Sequence, residues 1–280
     1  MRRLKFTSKR LFLLILVLLL TLTSSVSAQD DTTASVGDFT ALTILTHDGV
    51  ERTYRLHLPA TIDDGDPLPL IIALHRFASS GLAMEAATGL SEAGDNYGFA
   101  VAYPNAIGHF FEDGRGEALL GPDEGEKDDL GFLLALMDEL TTTYNIDPDQ
   151  VYLTGADNGG LMALRMACEY PDRIAGFIST GASMWDYHLD QCEENEPAAV
   201  NALFIHGSDS VTYPVPGRIV PTGDDRGDYT VLSLQDTVNW WAQWNGCNPE
   251  EVQIVEEDLA SIIVAPCFDE TTTALYLVDE

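Results

Sequence analysis

Two kinds of apolar pattern alternate along this chain. Leu68-Pro69-Leu70-Ile71-Ile72-Ala73-Leu74 and Phe99-Ala100-Val101-Ala102-Tyr103 are unbroken apolar runs, as expected of strands covered on both faces. Val151 to Thr154, Ala175 to Ser179, Ala202 to Ile205 and Ala274 to Val278 read as four more strands. Phe39 to Leu45 and Arg52 to Leu58 alternate instead. They flank the turn signal His47-Asp48-Gly49 and predict an antiparallel hairpin.

Helical spacing fills the gaps between strands: Glu85 to Tyr97, Asp128 to Tyr144, Gly159 to Tyr170 and Val231 to Trp244. In the second of these, Phe132, Leu133, Leu136, Met137 and Leu140 form one face, with Asp128 or Asp129 near the N-terminus as cap. In the last, Trp240 and Trp244 are expected in the core and Trp241 at the surface. The glycine- and acid-rich residues 107–127 show little periodicity and are read as a long surface loop, where Phe110 and Phe111, with Trp185 and Tyr187, line a substrate cleft. Strands alternating with helices behind a hairpin predict an α/β fold: a mostly parallel central sheet, an N-terminal antiparallel hairpin, and helices on both faces.

The first residues do not belong to that pattern. Basic Met1 to Arg10, apolar Leu11 to Leu22 and small residues ending Val26-Ser27-Ala28 predict an export signal over 1–28. Residues 29–38 are polar and expected to be disordered. One domain over 39–280 remains, secreted to the extracellular space or the periplasm, with no membrane association after signal cleavage.

Charge narrows the partners. The chain carries 14 Lys and Arg against 45 Asp and Glu, a formal net charge of −31. Losing the basic leader makes it more negative still, which excludes nucleic acid and anionic lipid as natural partners. Cys168, Cys192, Cys247 and Cys267 are an even set in an exported chain, so two disulfides are expected. Three pairings are formally open; neighbours in order, Cys168–Cys192 and Cys247–Cys267, close the shortest loops. No two cysteines lie close together, and no histidine pair accompanies them, so no metal site is assigned.

The chemistry centres on Val151-Tyr152-Leu153-Thr154-Gly155-Ala156-Asp157-Asn158-Gly159-Gly160. A strand that turns on glycines into a helix has the outline of a nucleophile elbow, Gly-x-Ser-x-Gly, with Asp157 in the serine's place. Around it stand Leu68-Pro69-Leu70 into Leu74-His75, Gly98-Phe99 to Tyr103-Pro104, and Asp128-Asp129-Leu130-Gly131-Phe132. Met162 and Ala163 follow the elbow, then Ile205-His206-Gly207 with Asp209, and Trp244-Asn245-Gly246-Cys247. In order and spacing these resemble the secreted polyhydroxybutyrate depolymerase and feruloyl esterase family of α/β-hydrolases, over residues 52–280.

The resemblance implies an α/β-hydrolase fold and hydrolysis of carboxylic esters by Ser, His and Asp. It implies no cofactor, and a polyester or feruloylated polysaccharide as partner of a monomeric protein. It places Asp157 at the nucleophile position, Asp209 at the triad acid, and His75, Arg76 and Asn158 in the oxyanion region. Three departures follow. The nucleophile serine is Asp157, the oxyanion glycine is Arg76, and the C-terminal histidine is absent, as though the chain ended before its loop.

An aspartate cannot reproduce the serine mechanism. It could attack carbon directly, but it would then need a histidine-activated water to release the product. His47, His57, His75, His109, His188 and His206 are all expected in structural places. A further expectation is that Arg76 folds across the oxyanion hole and pairs with Asp157. The reading is a catalytically impaired relative of the family. The alternatives are a hydrolase with Asp157 as nucleophile and a non-catalytic polymer- or partner-binding protein.

Overall fold

A computed structural model describes residues 41–59, 67–115, 127–193, 198–221, 228–257 and 260–279. These belong to a unit spanning Thr40–Glu280. The expected export signal over 1–28, the polar stretch 29–38 and much of the 107–127 loop lie outside the described residues.

Ten strands make one sheet. In chain order its strands are β1 (Ala41–His47), β2 (Val50–His57), β3 (Leu68–Leu74), β4 (Ala100–Pro104), β5 (Ile146–Ala156), β6 (Gly176–Thr180) and β7 (Asn201–Gly207). A two-stranded ribbon, β8 (Arg218–Val220) and β9 (Tyr229–Val231), comes next. Then β10 (Gln253–Glu257), β11 (Ala260–Pro266) and β12 (Thr272–Val278) return to the large sheet. Its spatial order is β1-β2-β4-β3-β5-β6-β7-β12-β11-β10. The stretch from β4 to β12 is parallel throughout, while β1, β2, β11 and β10 run antiparallel to their neighbours. The expected hairpin is β1–β2.

Among the described residues, six α-helices accompany the sheet: α1 (Gly81–Thr88), α2 (Leu90–Tyr97), α3 (Asp129–Thr143), α4 (Asn158–Glu169), α5 (Asp186–Glu193) and α6 (Leu234–Trp244). The helix expected over Glu85 to Tyr97 is two, because Gly89 adopts φ 61° and ends α1 where α2 begins. Asp128 caps α3, its Oδ1 accepting the Gly131 N–H at 2.8 Å. The helix then buries Leu130, Phe132, Leu133, Leu136, Met137 and Leu140, the face its spacing predicts.

Both disulfides pair as expected, Cys168–Cys192 and Cys247–Cys267. The first ties α4 to α5. The second ties the residues after α6 to the end of β11.

Two expectations are corrected. On α6 the buried face is Leu234, Thr237, Val238 and Trp241, an i, i+3, i+4, i+7 set. Trp241 is therefore fully buried, 4.8 Å from the Phe177 ring, while Trp240 and Trp244 are half-buried and stack on each other at 4.9 Å. They do share a face, but it is the flank of the helix. In the 107–127 segment, residues 107–109 are exposed, but Phe110, Phe111 and Asp113 are buried, so the chain turns into the interior there.

Candidate functional site

The site begins with a steric problem at the end of β5. Backbone from β5, α4 and the end of β3 meets there with no room for side chains. A Cβ on Gly155 would lie 2.1 Å from the Gly159 carbonyl oxygen, and one on Gly159 would lie 2.4 Å from that of Leu74. With glycine at both positions the chain can reverse sharply, and Asp157 takes up the strain at φ 52°, ψ −117°. Its N–H donates to Thr180 O at 2.9 Å, and its carbonyl accepts the Leu161 N–H at 3.0 Å to start α4. This is the nucleophile-elbow conformation, with a carboxylate held up at the end of the parallel strands.

That carboxylate is already engaged. Oδ2 accepts the backbone N–H of Phe77 at 3.2 Å. The carboxylate also accepts a hydrogen bond from the hydroxyl of Tyr213, whose pKa is pushed well up by burial first and by the charge of Asp157 next. Phe77 lies two residues beyond His75, in the segment where the family resemblance places an oxyanion hole. That backbone donor is thus occupied by the protein's own side chain.

The expected Arg76–Asp157 ion pair does not form. Arg76 is exposed, and among the described residues it makes no ion pair. Its position at the turn after β3 sends the side chain to solvent, while the backbone of the next residue reaches Asp157. Among the described residues, hydrogen bonds to the carboxylate come from Phe77 and Tyr213.

The other assigned residues are structural in their contacts. His75 is buried; its Nε2 accepts the Ala106 N–H at 3.1 Å, so Nδ1 donates to Arg76 O at 2.8 Å. Burial lowers its pKa and keeps the ring neutral. Asn158 uses its side chain to hold the buried segment beneath the elbow. Its Oδ1 accepts Phe111 N–H at 2.7 Å, and its Nδ2 donates to Phe111 O at 2.9 Å and to Asp113 Oδ2 at 2.6 Å. Asp209 is exposed, and among the described residues no hydrogen bond or ion pair joins it to a histidine. His206 donates from Nε2 to Tyr213 O at 2.6 Å, which fixes the loop that delivers the tyrosine.

Asp113 and Arg115 were not singled out from the sequence. Asp113, fully buried, forms a two-point ion pair with Arg115, Nε to Oδ1 at 2.8 Å and Nη2 to Oδ2 at 2.6 Å. Burial alone would lower the Arg115 pKa, but the Asp113 charge outweighs it and holds the guanidinium above its usual range. The guanidinium also lies 5.7 Å from the Trp185 ring centre. His188 is fully buried behind this pair, its Nδ1 accepting the Trp185 N–H at 3.0 Å, and desolvation pushes its pKa down to about 4. Asp129 pairs with Arg52 in the core and accepts the Glu112 N–H at 2.7 Å, anchoring the same segment from below. At the elbow itself, no three metal-ligating side chains converge among the described residues.

Comparison with known proteins agrees with this architecture. Residues 69–204 match the family described as the α/β hydrolase fold. NocK of Nocardia uniformis subsp. tsuyamanensis, an esterase by assignment, is 39% identical over 180 residues, 63% of this chain and 50% of NocK. Poly(3-hydroxyalkanoate) depolymerase C of Paucimonas lemoignei is 33% identical over 202 residues, 64% of this chain and 45% of the depolymerase. The chain has the α/β-hydrolase fold and is similar to esterases and depolymerases of that fold. It spans about half the length of these curated relatives. Among solved structures, an acetyl xylan esterase from Aspergillus awamori shares the α/β-hydrolase fold at a TM-score of 0.61 and 15% identity, covering 85% of this chain and 92% of that one.

Within the α/β-hydrolase frame, the elbow, the segment after β3 and the loop after β7 are all in place. Asp157 stands at the turn of the elbow, and the segment after β3 offers the Phe77 N–H to its carboxylate.

Proposed function

We propose that this chain is an exported member of the esterase and depolymerase family whose ester-hydrolysing centre is impaired, and that it engages a polyester or acylated polysaccharide without turning it over. One observation carries the reading: the Asp157 carboxylate accepts the Phe77 N–H. The oxyanion that would form from an ester carbonyl at the elbow meets a like-charged acceptor where stabilisation of negative charge is needed.

The named substrate of the Paucimonas lemoignei relative supports a polyester ligand. The N-terminal pattern and the two disulfides support export to the extracellular space or periplasm. At the rim of the site, Phe77 and Ile107 are exposed, and Phe77 stacks on Phe110 at 5.5 Å. These rings offer an apolar contact for an acyl chain.

The test is turnover of a short-chain nitrophenyl ester beside co-sedimentation with poly(3-hydroxybutyrate) particles. Wild type is expected to show no turnover above buffer and to sediment with the polymer. Asp157→Ser alone is expected to leave turnover absent. Ester turnover by wild type that vanishes in Asp157→Ala would overturn the reading.

A second reading rests on the strained elbow geometry, which presents the carboxylate as an attacking group would be presented. A covalent adduct on Asp157, seen by mass spectrometry after incubation with an alkylating ester or epoxide, would favour it. Among the described residues, His75 and His206 have a ring nitrogen tied to backbone, and His188 is buried with Nδ1 on the Trp185 N–H. Such an adduct is therefore expected to persist.

A further inference from the structure

The fold splits the Asp128-Asp129 pair that opens α3. Asp129 turns inward to Arg52 and the Glu112 N–H. Asp128 turns outward to the tip of the β1–β2 hairpin, where its Oδ2 lies 2.8 Å from His47 Nε2. Asp48 Oδ2 lies 3.8 Å from the same nitrogen. One ligand atom from each of the three residues falls within 4.8 Å of the other two. Ligands bound to one zinc ion at about 2.0–2.2 Å must stand roughly 3–4 Å apart. The 3.8 Å separation lies within that range and the 2.8 Å separation just below it, and the Asp48 side chain, 83% exposed, is free to adjust.

Separate features hold the three atoms together. Asp48, at φ 48°, shares the two-residue turn with Gly49, and this left-handed conformation keeps it next to His47. Asp128 commits Oδ1 to the Gly131 N–H, which leaves Oδ2 for the imidazole. Gly131 keeps the space open. A Cβ there would lie 2.0 Å from Asp128 Oδ2 and 2.8 Å from His47 Nε2, so any side chain would displace two of the three ligand atoms. Glycine in a first helical turn weakens the helix, and this crowding is the reason it is there. Among the described residues, neither Asp48 nor Asp128 is paired with a lysine or arginine, so two negative charges flank one imidazole with no cation between them.

We propose that His47, Asp48 and Asp128 bind one divalent cation of the zinc class, with water completing its coordination. One imidazole and two carboxylates suit such an ion. Calcium takes six to eight oxygen ligands, and two carboxylates supply too few. The ion clamps the hairpin tip to the start of α3. It is remote in sequence from the elbow and independent of whether esters are hydrolysed.

Calorimetric titration of the chelator-treated full chain with zinc chloride tests this, followed by cobalt(II) absorbance. Wild type is expected to bind one equivalent of zinc more tightly than calcium, and its cobalt form to show visible d–d bands. His47→Gln and Asp48→Asn, both at the hairpin tip, are each expected to weaken binding by more than about tenfold, the lower bound for losing even a supporting residue. Their circular dichroism should match wild type. Stoichiometric zinc binding unchanged in the double variant would assign the uptake to the acidic surface and overturn the proposal. So would the absence of stoichiometric binding in wild type, or calcium binding as tight as zinc.

Discussion

Asp157 holds a backbone conformation that most side chains avoid, at a cost on the order of 1–3 kcal/mol, and its contacts offset that cost. Tyr213→Phe removes a hydrogen bond to a charged acceptor while keeping the ring, so it is expected to lower unfolding stability by about 1.5–3 kcal/mol. Urea denaturation of the two proteins checks this; equal midpoints would mean that the hydroxyl does not hold the carboxylate. Tyr213 was not legible in the sequence, because it reaches the elbow only through the loop after β7. Asp113 was missed for the same reason. A glycine-rich, acidic stretch reads as surface until Asn158 and Asp129 are seen to draw it inward. Asp157 was legible because the glycines around it are demanded by the meeting of three backbones.

His188 gives a residue-scale pH dependence. Burial lowers its pKa to about 4, with Asp113 partly opposing and Arg115 adding to the shift. An unfolded histidine titrates near 6.5, so between about pH 6.5 and 4 the unfolded chain holds a proton that the folded chain does not. Stability from this group is complete above 6.5 and falls as pH drops through that window. The full difference is on the order of 3 kcal/mol. His188→Gln is expected to flatten the slope of stability against pH there. A slope unchanged by the substitution would place the titration elsewhere.

Among the elements, the parallel strands were the easiest to read, since covering both faces leaves an unbroken apolar run. The β10–β11 hairpin, the β8–β9 ribbon and α5 were not read. β10 exposes Ile254 and Val255 alongside glutamates, β8 and β9 have three residues each, and α5 is short and polar. What holds α5 is covalent as much as apolar. Cys168 and Cys192 are fully buried and join it to α4 across 24 positions. Replacing both with serine is expected to lower stability by about 3 kcal/mol through loop entropy. Hydrogen exchange in α5 should rise more than in α3. Equal rises in both helices would show that the bridge acts on the whole unit instead.

For the whole molecule, charge is the term most open to manipulation. A formal charge of −31 on 280 residues is self-repelling. Raising salt from about 0.01 M to 1 M shortens the screening length roughly tenfold and is expected to raise the melting temperature. A melting temperature that is flat or falls with salt would mean that local ion pairs such as Arg173–Asp138 dominate the response.

The same charge bears on the two ends of the sheet. β1 exposes Leu42 and Ile44, β10 exposes Ile254 and Val255, and among the described residues each is an outermost strand with one open row of backbone donors and acceptors. Open apolar edges are templates for strand addition between molecules. Mutual repulsion keeps copies too far apart for those edges to meet. As carboxylates take up protons in mild acid, that colloidal protection fades while the strands stay as they are. Loss of solubility should then precede loss of fold.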